Sequence, residues 1–169
     1  MQLVKESDIS AKTQETSASP QCIAPSSGTQ LYVTDNKSDS ILSINRITGE
    51  VEVLVSELEL ESALGVEDID LDGGIALSPD ETTLYVVNDE DPDLLIAIDI
   101  SGSTPAISQL AVETEFPGGD ADLDHFITTA ANGDILVVDD YNDRIARVSS
   151  EDGTVTVFLS ESTIEAVLG

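Results

Sequence analysis

Three short apolar runs recur along the chain at nearly even spacing: LYVTD at 31–35, LYVVN at 84–88 and ILVVD at 135–139, 53 and 51 residues apart. Each follows a short apolar stretch and a turn, CIAPSSGTQ at 22–30, IALSPDETT at 75–83 and FITTAANGD at 126–134. Each leads through a polar turn into ILSIN at 41–45, LLIAIDI at 94–100 or RIARVSS at 144–150, and then through a second turn into VEVLVS, AISQLAV or VTVFLS. β-Branched runs of this length between clusters of Gly, Pro, Asp, Asn and Ser read as strands, so every unit is four short strands. A repeating four-stranded antiparallel unit predicts an all-β chain with the architecture of a β-propeller, with about three blades present. One blade cannot bury both faces, and its neighbours must stack on it. A β-sandwich also has evenly spaced short strands, but they would not repeat in this internal order.

The repeat divides the chain into an outer strand of a preceding blade and a linker at 1–20, a first blade at 21–65, a second at 66–115, and a third with a crossover to a missing blade at 116–169. SESTIEAVLG at 160–169 matches SELELESALG at 56–65, which precedes the second blade, and QLVKES at 2–7 resembles QLAVET at 109–114, the outermost strand of the second unit. Closed propellers use roughly four to eight blades. The expectation is therefore a partial ring, a fragment of a six- or seven-bladed propeller, with the remaining blades or self-association closing it.

Six Lys and Arg against 34 Asp and Glu give a formal charge of −28. That field opposes nucleic acid and anionic membrane and favours a cation or a basic partner; it also suits solubility at high salt. Cys22 is alone, which rules out an internal disulfide and suggests a buried small side chain. The N-terminal MQLVKESDISAKTQETSASP has neither an apolar signal core nor a cleavage signal; the reading leans to an extracellular or periplasmic setting.

GIALSPDETTLYVVNDEDPDLLIAIDI at 74–100 resembles the YVTN-type propeller repeat, and NGDILVVDDYNDRIARVSSEDGTV at 132–155 resembles the NHL repeat. Both grade into the gluconolactonase-like (senescence marker protein) propellers. The resemblance implies a funnel-shaped propeller with its ligand or metal on the central axis. In the lactonases of that group a divalent metal is held by inward carboxylate and amide side chains from several blades, so a part of a metal-dependent lactonase-type hydrolase is one implied function. No motif carries those ligands onto particular residues here, and the catalytic residues stay unassigned.

In a propeller the blade-to-blade crossovers and the turns between second and third strands share one face. Segments 35–39, 56–73, 88–93, 113–124 and 139–143 fall there and hold 21 of the 34 acidic residues, whereas the opposite turns hold Glu50, Asp80, Glu81, Asp134, Glu151 and Asp152. Within this face VEDIDLDGG at 66–74 places Asp68, Asp70 and Asp72 at alternate positions, and DADLD repeats the pattern at Asp120, Asp122 and Asp124. Alternating carboxylates followed by glycine suit a hard cation, and Ca²⁺ is the candidate ion at these six residues. A helix-flanked calcium loop does not fit: its twelfth position would be Pro79 or Ala131, and no flanking helix is expected. The competing expectation is a half-exposed strand edge, apolar inward and acid outward. His125, the one histidine, is a candidate base or ligand and more often a structural hydrogen-bonder. Asn36, Asn88 and Asn142 are expected to serve turn geometry.

Overall fold

A computed structural model describes residues 4–123 and 126–168. Among them, three four-stranded antiparallel sheets follow one another along the chain. After helix α1 (Glu6–Thr13), the first sheet runs β1 (Pro20–Pro25), β2 (Gln30–Asp35), β3 (Ser40–Asn45) and β4 (Val51–Val55). Helix α2 (Glu57–Leu64) leads to the second, β5 (Ile75–Leu77), β6 (Thr83–Asn88), β7 (Leu94–Asp99) and β8 (Ala106–Val112). A 3-10 turn (Glu113–Glu115) leads to the third, β9 (Ile127–Thr129), β10 (Ile135–Asp139), β11 (Arg144–Val148) and β12 (Val155–Leu159), and helix α3 (Glu161–Leu168) follows. Strands pair in sequence order, and the first strand of the second sheet, β5, neighbours both β1 and β9. These are three blades of a β-propeller. No helix among the described residues is long and apolar enough to cross a membrane.

The second blade shows why the units must stack. Side chains alternate across a strand, so Leu84 and Val86 of β6 enter one core while Tyr85 and Val87 enter another. Ile96 and Ile98 join the core shared with the first blade, and Leu95 joins the core shared with the third. An unbroken apolar strand therefore marks a blade covered on both sides. In β10 the burial alternates, because the far face of the third blade has no neighbour within the described chain. The three sheets also share an irregularity: the pairing of third with fourth strand shifts register at Ile41/Leu42, Leu95/Ile96 and Ile145/Ala146. A bulge repeated at equivalent positions sharpens the twist of each outer strand.

Two expectations are corrected. The stretch 2–7 was expected to be an outer strand, but Val4 and Lys5 lie outside any strand and Glu6 begins a helix; Gln2 and Leu3 lie outside the described residues. α1 instead sets Ile9 into a buried cluster with Val33, Leu42, Ile44 and Val51 on the free face of the first blade. A helix satisfies its own backbone hydrogen bonds, so it can cover an apolar face without a partner strand. A helix also precedes the VEDIDLDGG segment, where none was expected. Ser56 starts α2, its N–H and hydroxyl both donating to Glu59, and Gly65 ends it in the left-handed region (φ 74) with its N–H on Glu61 O. These are capping-box and glycine-stop signals, and α3 (Glu161–Leu168) forms within the matching segment.

Gly153 tests the packing between blades. A Cβ there would lie 2.1 Å from Leu110 O of the second blade, on a backbone already at φ 74. Gly65 has the same φ and open space. Gly65→Ala should cost about 1 kcal/mol from the backbone alone, and Gly153→Ala about 3 kcal/mol or more because the third blade must shift off the second. Urea midpoints of the two variants read the difference; equal losses would mean that this contact is not made.

Candidate functional site

The acidic face is built on one hydrogen-bond pattern that occurs in every blade. The second strand ends in a buried polar residue, Asp35, Asn88 or Asp139. Its side chain accepts the backbone N–H of the incoming segment: Ser19 N donates to Asp35 Oδ1 (2.6 Å), Asp70 N to Asn88 Oδ1 (2.8 Å) and Asp122 N to Asp139 Oδ1 (3.4 Å). In return the carbonyls of Ser19, Asp70 and Asp122 accept from the next residue, Asn36 N, Asp89 N and Asp140 N, each at 3.1 Å. Ser19, Asp70 and Asp122 are therefore equivalent, as are Asn36, Asp89 and Asp140.

A second bond crosses from blade to blade. Leu71 N donates to Asp39 Oδ1 (3.1 Å) of the preceding blade, and Leu123 N to Asp93 Oδ2 (2.8 Å). Both apolar residues are fully buried. The Asp in the turn between second and third strand thus latches the entry of the following blade.

The two seams share this frame and differ, among other places, at the residue that follows the buried strand end. In the first seam Asn36 Nδ2 donates to Asp70 Oδ1 at 2.6 Å. In the second, the position of Asn36 is taken by Asp89, and Asp89, Asp93 and Asp122 each bring a carboxylate oxygen within 4.8 Å of the others. They line an open cleft of about 470 Å³ together with Glu113, Asp120 and Tyr141.

The five described residues of the six singled out from sequence lie in different surroundings. Asp68 is exposed and gathers with Glu57 and Glu61 of α2. Asp70 takes the Asn36 amide, Asp72 has a buried Oδ1 without a hydrogen-bond partner among the described residues, and Asp122 enters the carboxylate trio. Asp120 lines the cleft beside that trio. Asp124, like His125, lies outside the described residues. The alternation itself is present: Ile69, Leu71, Ala121 and Leu123 are buried, although no strand forms at 66–72. Asp89 and Asp93 were not singled out from sequence; the signal was the alignment of DNKSD with NDEDPD, which sets acid against Asn36. Asn88 acts as an entry-strand acceptor and also donates to Glu90 O at 2.9 Å. Cys22 is half-buried rather than buried; burial and the charge of Asp72 push its thiol upward from the ordinary value.

No protein-family model matches the sequence, and no curated protein matches it. Solved structures do. A gluconolactonase from Xanthomonas campestris superposes with TM-score 0.63 at 15% identity over 83% of this chain and 46% of its own. A chain of the nidogen–laminin complex gives 0.61 at 16% over 84% and 48%. Virginiamycin B lyase from Staphylococcus aureus with quinupristin gives 0.61 at 21% over 85% and 42%. The class these likenesses define is the β-propeller repeat protein, and the chain spans less than half the length of each of the three.

Asp39 carries the electrostatic signature of the first seam. Burial raises its carboxyl, the Leu71 N–H opposes the rise, and the charges of Asp70, Glu57 and Asp68 add to it, leaving it at about 6. A group raised above its unfolded value binds more protons in the native state, so its contribution is complete below about pH 4 and is lost as pH rises to about 6. Asp39→Asn keeps an oxygen for Leu71 and removes the charge. In metal-free buffer the stability of Asp39→Asn relative to the parent should rise by about 1 kcal/mol between pH 4 and pH 7, a partly exposed group being screened by water. A pH-independent difference, measured by urea denaturation, would mean that Asp39 titrates normally.

Proposed function

We propose that this β-propeller module binds a divalent cation, Ca²⁺, on its acidic crossover face, with Asp89, Asp93 and Asp122 as the protein ligands. The observation that carries the reading is the difference between the seams. Where Asn36 supplies a donor to Asp70, the equivalent position of the second seam supplies a third carboxylate. Carboxylates gathered this closely deepen the local negative potential and offer hard oxygen ligands to one cation. Oxygens up to 4.8 Å apart can share one ion, since Ca²⁺ binds oxygen at about 2.3–2.6 Å and two such bonds span that distance. The Leu123 N–H holds Asp93 in place, and Asp120 and Glu113 stand nearby in the cleft. The sixfold set of alternating aspartates is thereby narrowed: Asp122 stays a ligand, Asp120 contributes field, and Asp68, Asp70 and Asp72 belong to the other seam.

A second reading, a part of a metal-dependent lactonase-type hydrolase, draws on the likeness in fold to the gluconolactonase. Lactone hydrolysis by the purified chain at millimolar Ca²⁺ would favour it over a binding module. A basic protein partner on the same face is a third occupant, which salt would weaken.

The test uses thermal unfolding in millimolar Ca²⁺ against NaCl of matched ionic strength, with Mg²⁺ as a second control, because screening alone stabilises a chain of charge −28. A ligand of the native state stabilises by about 2.7 kcal/mol at a hundred times its dissociation constant. Asp89→Asn rebuilds the arrangement of the first seam. That variant should no longer respond to Ca²⁺, while Asp68→Asn with Asp70→Asn keeps the response. Equal stabilisation by NaCl, or an undiminished Ca²⁺ response in Asp89→Asn, would refute the site.

A further inference from the structure

The segment that brings Asp122 to the carboxylate trio has no strand or helix to fix it. It reads PGGDADL at 117–123, and three successive residues, Gly118, Gly119 and Asp120, adopt positive φ of 104, 68 and 47. Glycines leave the path of such a segment open to many conformations. Two of the three carboxylates nevertheless depend on it: Asp122 directly, and Asp93 through the Leu123 N–H that it accepts. Side chains around the start of β11 hold the segment from behind. Arg144 Nε donates to Asp139 Oδ2 at 2.5 Å, and its Nη1 donates to Pro117 O. Asn142 Nδ2 donates to Asp120 O at 3.4 Å and to Asp139 Oδ1 at 3.1 Å, and the same Oδ1 accepts Asp122 N. The backbone is thus gripped at 117, 120 and 122 by a clamp whose Asp139 and Arg144 side chains are 0% and 9% exposed. The first seam lacks this clamp: the residue in register with Arg144 is Leu94, a buried apolar side chain, and there Asp70 meets an amide.

We propose that Arg144 and Asn142 are positioning residues of the cation site, a role that rests on the Ca²⁺ reading of Asp89, Asp93 and Asp122. Neither supplies a carboxylate. They act through the carbonyls of Pro117 and Asp120 and through Asp139, and so set where Asp122 and, by way of Leu123, Asp93 stand. Asp89 is placed independently, its N–H donating to Asp70 O. Groups that orient metal ligands from behind account for roughly ten- to hundredfold of metal affinity, because ligands that must be ordered at the moment of binding bind more weakly. Only the planar fork of arginine reaches Asp139 and Pro117 O together; a lysine keeps the charge beside Asp139 and loses the second contact.

The experiment titrates Ca²⁺ by calorimetry, and Tb³⁺ by luminescence excited through Tyr141, which lines the cleft, at a temperature where the parent and every variant are folded by circular dichroism. Arg144→Lys and Asn142→Ala leave the net charge unchanged, so the field at the cleft is kept and a change in affinity reports position. Arg144→Lys should raise the Ca²⁺ dissociation constant roughly ten- to hundredfold, and Asn142→Ala roughly tenfold. Gly153→Ala, which disturbs the same two blades at Leu110 and touches nothing in the clamp, should leave the constant at the parent value. Should Arg144→Lys fail to fold, Asn142→Ala, on a half-exposed side chain, decides alone. Binding as tight as the parent's in the folded clamp variants overturns the inference while the cation site stands. Equal weakening in Gly153→Ala overturns it too, since general stability rather than position would then set the affinity. A parent that binds neither ion refutes the cation site itself, and this role with it.

Discussion

The three sheets depend on a polar side chain buried at the end of each second strand. Asp35, Asn88 and Asp139 sit where an apolar strand meets the incoming segment, and each accepts an N–H that has no ladder partner at that point. A buried N–H left unmade costs about 1–3 kcal/mol, so these residues decide where the entry segments lie. Asp139 carries a further load: Arg144, itself almost buried, pairs with it and donates to Pro117 O, while Asn142 Nδ2 reaches the same carboxylate. The latches from Asp39 to Leu71 and from Asp93 to Leu123 then tie that local order to the next blade.

Given this frame, the acidic charge takes on a structural meaning. The crossover face needs carboxylates as acceptors for backbone N–H groups, which leaves negative charge gathered at every seam. The first seam answers with the amide of Asn36 and with a carboxyl on Asp39 that holds its proton unusually well. The second seam has no such amide at the equivalent place, and the same geometry concentrates charge at Asp89, Asp93 and Asp122. Asn36 and Asp89 stand at one position of the repeat, where the first seam places an amide on Asp70 and the second gathers three carboxylates.

Much of the fold was legible because repetition amplifies weak signals. A single run such as LYVTD is ambiguous, but three at matching spacing with matching turns leave few architectures. The helices were less legible. SELELESALG holds a capping box and a glycine stop, yet its apolar alternation reads equally as a strand continuation, and α1 buries only Ile9. Of the candidate site, Asp122 was visible through the alternating pattern, whereas Asp89 and Asp93 were hidden in a turn that differs in length from its counterparts at 35–39 and 139–143.

The sequence alone determined the number of strands per blade, their order, the face that bears the acid and the equivalence of segments 56–65 and 160–169, since all of these follow from periodicity and turn chemistry within some fifty residues. What only the tertiary structure decided is which carboxylates meet. Asp68, Asp70 and Asp72 are neighbours in sequence and part company, because each turns to a different element, α2, Asn36 or the interior. Asp89, Asp93 and Asp122 come from two blades and converge, because the Leu123 N–H pulls Asp93 across the seam while Asp122 is fixed by Asp139. Local pattern sets which way a side chain faces; the packing of one blade on the next sets what it faces.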